Sequence, residues 1–269
     1  MNVSIEYSDY LVRLLQFEQK FPALLILPQI EQLILQNDPT LEELVSICQS
    51  NKSLFNKLTH SNNQARDIRQ FAQDILLKKG MSYLLSICIR SMNQEIFILP
   101  RKTQEGLTEF MLKRRSIILA RYVKKFSSQI GFSPDDTYLC ALFYNFRIVC
   151  FELLPEIENP ETQDFVSMEE EVSKALASCF YSLGFNKEIS GFIEESSMDV
   201  YDTQNPFLHA LVRIGNHLLC ESEISGSTTF RNTSSLDPML VELTGLSLRE
   251  LVDPLKEVVK DFKGGANRQ

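Results

Sequence analysis

ALFYNFRIVCFELLPE, residues 141–156, is apolar over almost its whole length, yet Tyr144 and Asn145 sit side by side within it. A run this apolar predicts a helix buried on most of its circumference, where an asparagine has no packing role. The stretch GFSPDDTYLC that leads into it carries a start signal. Ser133 stands at the cap, Pro134 at the first helical position and Asp136 three residues after the cap. The same grammar recurs in NDPTLEELVSIC, with Thr40 and Glu43, and in GLSLREL, with Ser247 and Glu250. Strict alternation over a strand's length is almost absent, and ten glycines and ten prolines are few for 269 residues. The expected fold class is all-α, with essentially no sheet.

Composition narrows the function classes. Apolar residues at 44% and charged residues at 23% describe an ordinary globular chain. A net charge of −8 argues against nucleic-acid binding, which needs a cationic footprint. No apolar run reaches a membrane span, and MNVSIEYSDY lacks the basic start and apolar core of a signal peptide. The cysteines at 48, 88, 140, 150, 179 and 220 form no C-x-x-C pair. They read as small core residues in a reducing cytoplasm. A cytoplasmic protein is expected.

ILPRKTQEG, residues 98–106, marks the main boundary, with Pro100 ending one helix and Gly106 in a short hinge. This predicts an N-terminal helical subdomain over residues 1–100 and a larger helical subdomain over 101–269. NPETQDFVSMEEE (159–171) and ESEISGSTTFRNTSSLDP (221–238) read as mobile loops, and the tail KGGANRQ as disordered.

Several segments, in order, resemble one family. ILPQIEQLILQNDPTLEELVSICQSNKSLFNKLTHSNN resembles the opening pattern of the HDOD domain, a degenerate relative of the HD-type metal-dependent phosphohydrolases of bacterial signalling and regulatory proteins. AQDILLKKGMSYLLSICI, LKRRSIILARYVKKF, ALFYNFRIVCFELLPE and LDPMLVELTGLSLRELVDPLKEV resemble the segments that follow, from about Leu27 to Phe262. Asn51-Lys52 replaces the family's Asp-Pro, and a glycine is missing from the signature helix. The resemblance implies an N-terminal helical subdomain packed on a degenerate HD-like helical subdomain.

The resemblance carries the metal-ligand positions of an HD hydrolase onto Arg115, Tyr144, Asn145 and Asn216, with two further histidine positions near Glu194 and Glu195. Arginine keeps its proton and offers a cation no lone pair. Tyrosine is a poor ligand near neutral pH, and asparagine offers only a neutral amide oxygen. No metal, no other cofactor and no catalytic residue is expected. The three histidines supply no substitute: His209 and His217 stand eight residues apart, about 80° round a helix, and His60 is alone. Each reads as a surface or hydrogen-bonded core histidine. No G-x-S-x-G elbow or glycine-rich phosphate loop is present.

On a helical projection of 107–130, Arg115 falls on the arc of Leu107, Met111, Ile118, Tyr122 and Phe126, and Lys113, Arg114, Arg121 and Lys124 fall towards the other side. Two orientations follow. Either Arg115 points inward and meets Asn145, Tyr144 and Glu194 or Glu195, or the helix is rotated and Arg115 snorkels to water. The basic stripe itself reads as a solvated face, or as a contact for an acidic partner or a phosphate-bearing ligand.

Three functions are in view. The resemblance implies a non-catalytic regulatory module that binds another signalling or regulatory protein. The cavity set of Arg115, Tyr144, Asn145, Asn216, Glu194 and Glu195 makes a sensor for a nucleotide or other anionic small molecule the alternative. A residual phosphohydrolase is the remaining possibility.

Overall fold

The computed structural model describes residues 22–35, 40–50, 68–95, 108–152, 165–224 and 235–266, and among these there is no strand. All-α is the fold class. The hinge around Pro100 and Gly106, His60, Asn51-Lys52, residues 159–164 and residues 225–234 lie outside the described residues.

The chain divides into two compact units. One comprises Met1–Ile98 with Cys179–Asn186, the other Leu99–Ser178 with Lys187–Gln269. In the first, α1 (Pro22–Leu35) packs on α4 (Met81–Glu95) and touches α2 (Leu41–Ser50), which packs on α3 (Ile68–Asp74). Leu24, Ile26, Leu27, Ile30, Leu44, Phe71, Ile75, Leu84 and Cys88 are its buried residues among others. The capping box at Thr40 is complete: Glu43 N–H donates to Thr40 Oγ1 at 3.3 Å, and Thr40 N–H donates to Glu43 Oε2 at 2.9 Å. Between α3 and α4 the chain makes one π-helical turn, Ile75–Lys79, closed by Gly80 N–H donating to Ile75 O at 2.7 Å.

The second unit is built round α5 (Glu109–Lys124), which packs against α7 (Pro134–Glu152), α10 (Pro206–Ile224) and α12 (Leu248–Ala266). A short α6 (Ser127–Ile130) leads into α7, α9 (Lys187–Glu194) also packs on α7, and α11 (Pro238–Thr244) packs on α10. Every residue from Thr137 to Phe146 is buried, which explains the continuous apolar run: no face of this part of α7 meets water. Pro134 opens α7, Asp136 N–H donates to Ser133 Oγ at 3.0 Å, and Ser247 and Glu250 repeat the box at the start of α12.

Helices α5 and α10 approach closely at Gly215. A Cβ there would stand 2.7 Å from Leu119 Cδ1 and 2.9 Å from the Tyr122 ring. Three sequence expectations need correction. The stretch 221–238 opens inside α10, which runs on to Ile224. The acidic stretch 159–171 is helical from Phe165, where α8 (Phe165–Leu183) begins, because Val172, Ala175, Leu176 and Cys179 continue a buried stripe beneath exposed glutamates. The tail is also helical further than expected, since α12 runs to Ala266 from a stem anchored by Leu251, Leu255, Val258 and Val259. Of the five cysteines whose side chains are described, four are buried.

Candidate functional site

Helix α5 brings Arg115 to the interior, where it is 5% exposed. Ser116 beside it is also buried and turns its hydroxyl back to Leu112 O at 2.8 Å. Of the two orientations open to the sequence, the inward one is present. The expected partners, however, are not. Asn145 on α7 has no exposure, and neither its Oδ1 nor its Nδ2 makes a hydrogen bond. Tyr144 instead lies under the Arg147 guanidinium, 4.7 Å from its ring centroid, and tilts against Phe192 at 6.5 Å. Glu194 is exposed to solvent, and Glu195 turns to α10. The expected ring of amide and carboxylate partners around Arg115 is therefore corrected: those residues are engaged elsewhere or carry no hydrogen bond.

His209, read from the sequence as a surface or hydrogen-bonded core histidine, is a core residue without a hydrogen bond. It is 1% exposed, stacked on Phe192 at 4.4 Å and 26°, with Nε2 3.4 Å from Glu195 Oε2. Neither ring nitrogen makes a hydrogen bond. Burial, and then the charges of Arg213 and Arg147, push its pKa down to about 3, so the ring is neutral at pH 7. The contact with Glu195 is accordingly a neutral imidazole beside a carboxyl group and not an ion pair. Burial raises the Glu195 pKa, the Gln204 N–H at 2.9 Å opposes that rise, and neighbouring Glu194 adds to it. The one sequence cue to His209 was its place inside the apolar run PFLHALV.

The carbonyls at the end of α9 explain the two arginines. A helix C-terminus leaves carbonyls without intrahelical donors. Two 3-10 turns follow α9, Glu195–Ser197 and Val200–Asp202. Arg147 from α7 donates to Ser196 O at 3.1 Å, and Arg213 from α10 donates to Met198 O. Ser173 and Ser196 hydroxyls meet at 3.2 Å. Asn216, three residues and so a little under one helical turn beyond Arg213, is half-buried with its Oδ1 buried and without a hydrogen bond. Tyr122 is wholly buried, its hydroxyl lacks a partner, and burial raises its pKa.

Chemically, the buried polar groups of these helices are amide, phenol and imidazole, with a buried guanidinium on α5. Among the described residues no three His, Cys, Asp or Glu side chains are grouped to hold a metal ion. No helix among them is long and apolar enough to cross a membrane. No protein-family model, curated protein or solved structure matches this chain.

Proposed function

We propose that the chain is a non-catalytic regulatory module with an HD-like helical fold, acting in the bacterial cytoplasm by binding a signalling or regulatory protein. The observation that carries this reading is Arg115. The resemblance to HDOD domains puts a metal-binding histidine at this position, and a guanidinium 5% exposed keeps a fixed positive charge there. A divalent ion brought to the same place meets repulsion from the guanidinium, and the neighbouring ligand position offers the neutral amide of Asn145 in place of a carboxylate. Purified protein assayed with Mn2+, Fe2+ and Zn2+ against bis(p-nitrophenyl) phosphate should show no metal-stimulated turnover. In-cell crosslinking should capture a discrete protein partner. Stoichiometric metal with phosphodiesterase turnover sinks the reading.

A second reading is favoured by Asn145 and His209. Buried donors and acceptors without protein partners suit the polar edge of a nucleotide or another small anionic ligand. Thermal-shift screening against nucleotides tests it: a ligand of this site raises the melting temperature, and Arg115→Ala removes the rise.

A further inference from the structure

The corner between α3 and α4 is basic within an acidic chain. Residues 68–90 carry Arg69, Lys78, Lys79 and Arg90 against Asp74 alone, net +3 within a chain of net −8. At its apex the π-helical turn Ile75–Lys79 buries Ile75 and turns Leu77 outward until it is 82% exposed, further than any other large apolar residue described. Gly80 closes the turn at φ 79° and ψ 161°, a backbone region that only glycine occupies readily, although a Cβ there would meet nothing within 4 Å. The glycine is needed for the path of the chain alone.

The surface beside Leu77 is preorganised. Lys79 Nζ stands 4.3 Å from the centroid of Tyr83 and 3.3 Å from its hydroxyl, and Tyr83 itself is 37% exposed. Lys78 is held by Asp74 Oδ1 at 2.8 Å. An extruded leucine, a tyrosine capped by an ammonium and a second lysine thus lie on one short stretch, fixed by a turn whose geometry is uncommon and recurs at functional places in helices.

We infer that this corner docks an acidic segment of a partner protein, with Leu77 and Tyr83 receiving an apolar side chain and Lys78 and Lys79 meeting carboxylates on either side of it. The inference deepens the reading of the chain as a binding module and rests on it. Opposite charge selects the partner, and the exposed aliphatic and aromatic anchors supply the attraction. An anionic membrane is the lesser fit, because one leucine and two lysines fall short of the paired hydrophobic and polybasic signals that hold a protein on lipid.

The test uses the full chain and a phage-displayed library of random 12-residue peptides. Selected peptides should be enriched in Asp and Glu around an aliphatic or aromatic residue. Their affinity should fall at least tenfold with Leu77→Ser and several-fold with Lys79→Gln, and weaken as salt rises. Leu77 is so exposed that its variant should keep the parent's circular dichroism, which the same preparation records. Peptides without acidic bias, peptides that bind both variants as tightly as the parent, or sedimentation of the protein with phosphatidylglycerol vesicles would each overturn the assignment. The metal and phosphodiesterase assays use a different readout, so this surface can fail while the module reading stands.

Discussion

His209 Nε2 and Glu195 Oε2 lie 3.4 Å apart, joining α10 to the turn that ends α9, and the charges of Arg213 and Arg147 act on the ring. The pair sets an acid limit on stability. His209 titrates at about 3 when folded and near 6.5 when unfolded, so the unfolded chain binds the extra proton between those values. Its contribution is complete above pH 6.5 and is lost as pH falls towards 3. His209→Gln should flatten the fall in urea midpoint between pH 7 and pH 4.5 relative to the parent. An unchanged pH profile would show that the ring is not held neutral. Glu195, raised, acts in the opposite sense: its contribution is present at low pH and fades as pH rises through its folded value.

Gly215 is a packing requirement. Because an added Cβ would press on Leu119 and on the Tyr122 ring, Gly215→Ala should destabilise the second unit by about 1–3 kcal/mol, despite alanine's better helix propensity. Gly191→Ala, where a Cβ meets nothing within 4 Å, is the control and should be neutral or stabilising. Equal midpoints for the two variants would contradict the close crossing.

Asn145→Leu separates a structural amide from a binding one. The side chain is wholly buried and unbonded, so an apolar replacement of similar size should raise stability by about 1 kcal/mol, or a few degrees in melting temperature. If the amide serves a ligand, the same variant gains stability yet loses the thermal shift that the ligand gives the parent.

Restoring ligands tests the HD-like reading directly. The combined variant Arg115→His, Tyr144→His, Asn145→Asp and Asn216→Asp should bind about one equivalent of Zn2+ or Mn2+ by equilibrium dialysis, where the parent binds none. The added carboxylates supply the missing charge and the removed guanidinium ends the repulsion. A folded variant without metal affinity would show that these four positions do not converge.

The three capping boxes and the all-round apolar run of α7 were legible because their signals are local: a hydroxyl three residues from a carboxylate, and ten consecutive buried residues. The start of α8 was hidden because Glu169, Glu170 and Glu171 look like a solvated loop when their apolar underside is not weighed. His209 could not be read in advance. Its character comes largely from Phe192, Glu195 and Arg147, which other helices and turns deliver; Arg213 alone, four residues on in α10, is set by spacing within the helix. The partners of Arg115 were misread for the same reason: sequence placed it on the inward arc of its helix, but which neighbours reach it is decided between helices.

The π-helical turn at Ile75–Lys79 has a further meaning for how the chain tolerates change in length. A turn closed from Gly80 back to Ile75 holds one residue more than an α-helical turn, so it stores an insertion locally and leaves the phase of α4 untouched. Loss of a single residue here would relax the bulge to regular helix and draw in the protruding Leu77. The first unit thus carries at this turn an allowance for a one-residue deletion that would smooth its surface without moving its core.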